Sequence, residues 1–171
     1  DETNTVYNAD PYLQASWKVS ERWTLDAGLR YSTVSFDSDD HYIAPGNGDD
    51  SGAARYRKAL PVAAVRYAPD PGLSLYASYG RGFETPTLNE ISYRPGGQPG
   101  LNFGLAPALS TNLEAGVKAR MAGGLLTAAV FHTGTDDEIV AAGSSGGRTS
   151  YPNAGRTRRD GVELGWSGDF A

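Results

Sequence analysis

The chain has 171 residues and a formal net charge of −5, and its composition excludes several classes of protein. It contains no cysteine, which rules out disulfides, thiolate metal sites and cysteine nucleophiles. The acidic balance argues against a nucleic-acid binder, because neutralising phosphates requires a basic surface. Glycine (22 residues), proline (10 residues) and an aromatic content of 11% favour many strands joined by turns over a helix bundle.

Alternation of apolar and polar residues predicts seven β-strands. In the segment 111–121 every second residue from Leu113 onward is apolar, and the runs that begin at Trp23 and Leu73 show the same period. A helix would scatter these apolar residues around its surface, whereas a strand places them on one side. In chain order the predicted strands cover 11–20, 23–36, 57–68, 73–83, 110–121, 125–133 and 157–167.

The predicted connections alternate between short and long. The short ones are turns at 20–22, 69–72 and 122–124, and the long ones cover 37–56, 84–109 and 134–156. Loops longer than about 12–15 residues are unusual in a compact soluble domain. Long loops at one end and short turns at the other are typical of outer-membrane barrels. The predicted fold is all-β, an antiparallel up-and-down meander that is a partial segment of a large transmembrane β-barrel.

The two faces of the predicted strands differ in polarity. In one strand Leu113, Ala115 and Val117 alternate with Glu114 and Gly116. The apolar set would face lipid in a barrel, but it would face a core in a soluble sandwich, and alternation alone does not separate the two. Trp and Tyr near the strand ends favour the membrane, because both residues are enriched at its interfaces. A soluble or surface structural or adhesion β-domain without transport is the alternative.

Seven strands do not make a closed single-chain bacterial barrel, which has an even number of strands and no free edge. The sequence therefore predicts an internal piece of a larger barrel.

The segment 75–90, LYASYGRGFETPTLNE, resembles TonB-dependent outer-membrane receptors. In that family a stretch of the form Arg-Gly-Phe-(Glu/Arg)-x-Pro-x-(Leu/Ile)-x-Glu leads from a rising strand into an extracellular loop. Three further stretches, around 105–118, 136–140 and 151–164, resemble the family's pattern in the expected order. The motif positions are Arg81, Gly82, Phe83, Glu84, Pro86, Glu90, Glu114, Gly116, Asn153, Gly155, Gly161 and Glu163. Shorter pieces at 102–105, 135–140 and 146–149 are similar to the receptor subgroup associated with pyrroloquinoline quinone uptake.

The resemblance implies a barrel of about 22 strands closed by an N-terminal plug domain. Residues 1–171 would all belong to the barrel domain, with the plug, the TonB box and the terminal strands absent. The implied function is active transport across the outer membrane of a Gram-negative bacterium. Extracellular loops would bind a ferric siderophore or pyrroloquinoline quinone, and the TonB complex would supply energy through the missing N-terminal parts. Outer-membrane lipid and lipopolysaccharide are the other expected partners, and no cofactor is expected.

Ligand capture is predicted for five loop residues: Tyr42, Tyr93, Arg94, Arg148 and Tyr151. Arginine offers a planar fork for carboxylates, and tyrosine offers a stacking surface and a hydroxyl. Both suit an anionic siderophore or a tricarboxylate quinone. The competing interpretation for each residue is that it fills loop structure.

No enzyme and no metal site are predicted. The two histidines, His41 and His132, lack a nearby nucleophile elbow. The first long loop carries five aspartates without calcium-loop spacing, which indicates a solvated acidic loop. Arg156, Arg158 and Arg159 cluster at a strand end, where contact with anionic lipopolysaccharide or with nearby acidic loops is expected.

Overall fold

The computed structural model describes residues 2–45, 48–94, 100–121, 123–145 and 148–168, without the side chains of Ser145 and Arg148. Within these residues the chain forms ten strands and one short helix. The elements are β1 (Glu2–Ala9), β2 (Tyr12–Lys18), β3 (Trp23–Asp40), β4 (Gly52–Asp70), β5 (Leu73–Glu84), α1 (Leu88–Ile91), β6 (Ala108–Met121), β7 (Gly124–Asp136), β8 (Gly143–Ser145), β9 (Arg148–Ser150) and β10 (Thr157–Gly168).

The main sheet is the predicted antiparallel meander. Its order is β1-β3-β4-β5-β6-β7-β10, and β2 also pairs with β3. Every pairing in this sheet is antiparallel, and from β3 to β7 consecutive strands of the chain lie side by side. The all-β prediction is confirmed.

The predicted first strand, 11–20, corresponds to β2, and a further strand, β1, precedes it. β1 and β2 pair with β3 in one continuous register, since Ala9 lies opposite Thr33 and Tyr12 lies opposite Arg30. The ladder is interrupted where Pro11 has no N–H to donate, although its carbonyl still accepts from Tyr31 N at 2.9 Å. β1 was missed because its sequence, ETNTVYNA, is too polar on both faces to alternate.

The first loop is shorter than predicted. β3 continues to Asp40 and β4 begins at Gly52, so the connection runs from 41 to 51 instead of from 37 to 56. The added part of this hairpin pairs Phe36 with Ala54. Both of these side chains are buried under the other loops, and that tertiary packing leaves no local sequence signal.

The other two long connections contain secondary structure. The second loop (85–107) includes α1. The third loop (137–156) includes the β8–β9 hairpin, and its two arms are joined below that hairpin by Val140 N to Pro152 O at 3.1 Å and by Ala142 N to Ser150 O at 3.0 Å. The third loop is thus a two-stranded ribbon rather than the irregular segment that the sequence predicted.

The register across the sheet separates an apolar face from a polar face. One row of directly opposed residues is apolar throughout: Leu25, Val65, Ala77, Ala115, Val130 and Val162. The next row lies on the other face: Asp26, Ala64, Ser78, Glu114, Phe131 and Gly161. The apolar face is open, with Leu164 77% exposed and Val162 79% exposed. Trp23 and Tyr67 stack at its short-turn border, with ring centroids 4.6 Å apart.

The sheet curls around its polar face. Gln14 at one edge and Glu163 at the other line one central cavity of about 500 Å³. The buried core lies on this same face at the loop end, where the second and third loops pack against β3 and β4. Its buried members are Phe36, Ala54, Tyr56, Ile91 and Leu105. Among the helices that the described residues form, none has the length and apolar character needed to cross a membrane.

Candidate functional site

The polar face of the main sheet forms a wall, and in this polar wall two glycines lie under aromatic rings. A Cβ on Gly116 would approach the hydroxyl oxygen of Tyr76 to 2.6 Å, and one on Gly161 would approach the ring of Phe131 to 2.4 Å. Tyr76 donates its hydroxyl hydrogen to Glu114 on the neighbouring strand. Three of the motif positions therefore shape the wall by letting large rings lie flat across adjacent strands.

The second loop leaves the wall through a defined helix start. Thr87 is the N-cap of α1, and Glu90 completes a capping box because Thr87 N donates to Glu90 Oε2 at 2.7 Å. Pro86 is fully buried, and Phe83 packs against the loop core. These motif residues fix the direction in which the loop turns over the polar face.

Asn153 joins the second and third loops. Its side-chain oxygen accepts from Ala106 N at 3.0 Å, and its nitrogen donates to Ala106 O at 2.9 Å and to Asp137 O at 2.8 Å. Two residues later Gly155 has a φ of +79°, a conformation that costs an L-residue about 1–2 kcal/mol. Both motif positions thus have a structural reason for their residue type.

A charged group closes the base of the third loop. Glu138 accepts hydrogen bonds from the hydroxyl of Thr157 and from the guanidinium of Arg159. Both hydrogen bonds hold the pKa of Glu138 below its ordinary value, and the one from the Thr157 hydroxyl has the larger effect. The third loop is therefore attached to β10 by hydrogen bonds that are strongest when the carboxylate is ionised.

Two cavities on the polar face have carboxylates in their lining. The central cavity is lined by the carboxylates of Asp26, Glu114 and Glu163, with no lysine or arginine among its described lining residues. The upper cavity, of about 320 Å³, lies below the loops. Its polar lining consists of Glu84, Ser110, Thr133, Thr135, Glu138 and Arg159. Carboxylates and hydroxyls suit a ligand or protein segment that donates hydrogen bonds.

The described residues contain no group of three or more histidine, aspartate or glutamate side chains arranged to hold a metal ion. In the acidic first loop, Asp40 instead accepts from the backbone nitrogens of Tyr42 at 2.9 Å and Asp50 at 3.4 Å. Part of this acidic cluster therefore stabilises the loop itself.

The five predicted ligand residues lie on three different loops. Tyr42 is 61% exposed on the first loop. On the second loop Tyr93 is half-buried, and Arg94 Nε donates to Leu101 O at 3.0 Å. Tyr151 on the third loop packs against the loop core, and for Arg148 only the backbone, in β9, is described. The two cavities above are lined by other residues, and a ligand role for the five stays a prediction.

The arginine cluster is paired with acidic residues. Arg156 Nε lies 2.8 Å from Asp136, Arg158 Nε lies 2.6 Å from Asp160, and Arg159 bonds to Glu138. Asp160 also lies 2.7 Å from Nδ1 of His132. Acidic partners for the cluster are therefore present, but only Glu138 lies in a loop, since Asp136 belongs to β7 and Asp160 to β10. Contact with lipopolysaccharide stays a prediction.

Sequence reasoning missed the residues that support the motif positions. Tyr76 and Phe131 cover the wall glycines, and Tyr56 donates its hydroxyl hydrogen to Leu105 O at 2.9 Å. Tyr76 and Phe131 occupy positions of the polar set, so aromatic residues opposite motif glycines were the available signal. Ala106 offered none, because only its backbone is used.

Comparison with known proteins identifies the family. The whole chain, residues 1–171, matches the model of the TonB dependent receptor-like β-barrel. A curated relative, the probable TonB-dependent siderophore receptor PiuA of Acinetobacter baumannii, is 26% identical over 97% of this chain and 22% of its own length.

Solved structures of transport receptors share the fold. The siderophore receptor PiuA from Acinetobacter baumannii superposes with a TM-score of 0.76 at 23% identity, over 100% of this chain and 24% of its own. The copper transporter OprC gives 0.80 at 20% identity, over 98% of this chain and 27% of its own. The ferric yersiniabactin uptake receptor FyuA from Yersinia pestis gives 0.74 at 22% identity, over 99% and 25%.

The chain spans between 22% and 27% of the length of these relatives. They are receptors and transporters rather than enzymes, in agreement with the prediction from the histidines. Because the family match extends over every residue and the meander superposes on receptor walls, the chain belongs to the TonB-dependent receptor-like β-barrel family.

Proposed function

We propose that this chain is part of an outer-membrane receptor of a Gram-negative bacterium that imports a ferric siderophore. The observation that carries the proposal is the two-faced wall with its loops folded over the polar side. In this proposal the apolar face contacts lipid, and lipopolysaccharide surrounds the loop end. The polar face contacts the interior, and the loop residues named above contact the ligand.

The names of two relatives favour an iron-carrying ligand, since PiuA is named a siderophore receptor and FyuA a ferric yersiniabactin uptake receptor. Pyrroloquinoline quinone is the second candidate ligand, supported by the short sequence pieces at 102–105 and 135–140. Energy would come from the TonB complex, acting through parts of the receptor outside this chain.

Uptake by the intact receptor tests the proposal. The full-length protein is expressed in a strain that lacks its own siderophore receptors, and uptake of a ferric catecholate, a ferric hydroxamate and pyrroloquinoline quinone is measured. We expect saturable uptake of one iron complex and its loss when the tonB gene is deleted.

Two results would overturn it. Uptake that persists without TonB would remove the active-transport mechanism, and no saturable uptake of either iron complex would remove the siderophore assignment. Uptake of pyrroloquinoline quinone alone would establish the second ligand instead.

A further inference from the structure

The side-chain amide of Asn153 forms three hydrogen bonds to backbone groups. An asparagine side chain has two N–H donors and one carbonyl oxygen. Here both donors and the oxygen bond to backbone groups, and the three partners belong to two different loops. A residue that only filled space in the third loop would not need to satisfy both backbone groups of Ala106.

Ala106 is itself held on the wall. The preceding residue, Leu105, is 3% exposed and its carbonyl accepts from Tyr56 of β4 at 2.9 Å. Ile91, at the end of α1, is 1% exposed in the same core and bonds through its carbonyl to Asn102 N at 2.6 Å. The second loop is therefore packed on β4 at the point where Asn153 reaches it.

Asn153 also lies inside the ribbon of the third loop. It forms a β-bridge with Ile139, and the next residue, Ala154, donates to Glu138 O at 2.7 Å. A continuous series of hydrogen bonds thus leads from β4 through Leu105 and Ala106 to the base of the ribbon. Removing the Asn153 side chain interrupts this series between the two loops.

We propose that Asn153 is a positioning residue that locks the second and third loops into one body on the wall. The proposed ligand contacts are Tyr93 and Arg94 of the second loop and Tyr151 of the third. Because the two loops are already ordered before the ligand arrives, binding does not lose the conformational entropy of ordering them. This inference rests on the proposed function for its ligand, but the lock itself exists without one.

The chemistry of the lock distinguishes Asn153→Asp from other substitutions. Aspartate has nearly the same shape and can still accept from Ala106 N. Its ionised carboxylate has no donor, so it would face the carbonyl oxygens of Ala106 and Asp137 without a hydrogen. The wall hydrogen bonds between β5 and β6 do not involve this side chain. Asn153→Asp should therefore release the loops and leave the barrel folded.

Hydrogen exchange of the full-length receptor in detergent, without ligand, tests the lock. Losing two hydrogen bonds and adding a repulsion should speed exchange about ten-fold or more in both 100–107 and 137–142. Peptides from β5 and β6 should not change. The matched control is Asn89→Asp, which introduces the same charge at an exposed asparagine of the second loop outside the motif positions. Faster exchange in the third loop alone, or in neither loop, would overturn the proposal.

A binding measurement tests the consequence. The probe is whichever of the ferric catecholate, the ferric hydroxamate or pyrroloquinoline quinone the wild type imports. We expect Asn153→Asp to raise the half-saturation concentration about ten-fold while uptake at saturating probe stays near wild type. An unchanged half-saturation concentration, despite released loops, would overturn the positioning role. If the wild type imports none of the three, the proposed function fails, while the exchange result still decides whether the lock exists.

Discussion

At some positions of the polar wall, the side chain that packs over the residue determines which residue type fits. Gly116 has the ring of Tyr76 across it, and that ring reaches Glu114 through its hydroxyl. A side chain at Gly116 and the present position of Tyr76 exclude each other. The wall gains an aromatic packing surface at a position where a glycine alone would weaken the strand.

Gly116→Ala should destabilise the barrel by about 1–3 kcal/mol, the usual cost of overpacking a filled site. The added methyl group displaces the ring of Tyr76 and breaks its hydrogen bond to Glu114. Denaturant unfolding of the full-length receptor in detergent measures the loss. Gly134→Ala is the control, since the nearest atom to its added Cβ lies 3.9 Å away. Equal effects of the two substitutions would show that Tyr76 does not determine the need for glycine.

The two faces of β6 should tolerate charge differently. Val117 lies on the apolar face opposite Leu75 and Ala128, and Lys118 lies beside it on the polar face. If the apolar face contacts lipid, Val117→Arg near the bilayer midplane should cost about 2–4 kcal/mol, and Lys118→Arg should cost little. Unfolding of the receptor from lipid vesicles compares them, and equal stability of both variants would reverse or abolish the assigned orientation.

At the scale of elements, the third loop is attached to the wall by a titratable group. Thr157 and Arg159 of β10 lower the pKa of Glu138 from its ordinary value of 4.5. A depressed pKa means that the attachment contributes stability above that ordinary value and loses it as the pH falls through the folded-state value. We expect the ribbon to separate from β10 as the medium becomes more acidic than about pH 4.5.

Distance measurements between spin labels at Ser144 of the ribbon and Val162 of β10, which is 79% exposed, can follow this separation in the full-length receptor. In the wild type the distance should widen below the ordinary pKa of the carboxyl. Glu138→Gln removes the charge at every pH and should show the wider distance throughout. A wild-type distance that does not change with pH would mean that other contacts hold the ribbon.

Sequence predicted the wall well and the loops poorly, for a physical reason. Alternation of apolar and polar residues shows which residues lie on each face of a strand. The predicted strand 110–121 therefore agrees with β6, Ala108–Met121, to within two residues. The upper hairpin of β3 and β4 and the ribbon of the third loop are held by contacts between segments far apart in the chain, such as Tyr56 with Leu105. Local periodicity does not contain that information.

The candidate site divides in the same way. The motif positions were found from their resemblance to a family, and the structure gives Glu90, Gly116, Asn153 and Gly155 specific geometric roles. Their partners, Tyr76 and the backbone of Ala106, could not be found without the register between strands and loops. The ligand residues stay predictions because an uptake measurement, rather than the fold, decides them.

At the scale of the whole molecule, the chain exposes an apolar surface that water does not favour. Leu13 is 78% exposed, Leu164 is 77% exposed and Trp17 is 65% exposed, all on the apolar face. The described sheet also presents open edges at β2 and β10, where unpaired N–H and C=O groups invite another strand. A contiguous apolar patch of this kind promotes association.

The 171-residue chain on its own should therefore need detergent to stay dispersed. After refolding, light scattering with size-exclusion chromatography should show aggregates in plain buffer and a defined detergent-bound species above the critical micelle concentration. Replacing Leu13 and Leu164 with glutamate should reduce the bound detergent, whereas the same replacements at Gln14 and Ser78 of the polar face should not. A detergent-free monomer of the unaltered chain would show that the apolar face is covered by the protein itself, and the membrane assignment would then give way to a soluble β-sandwich.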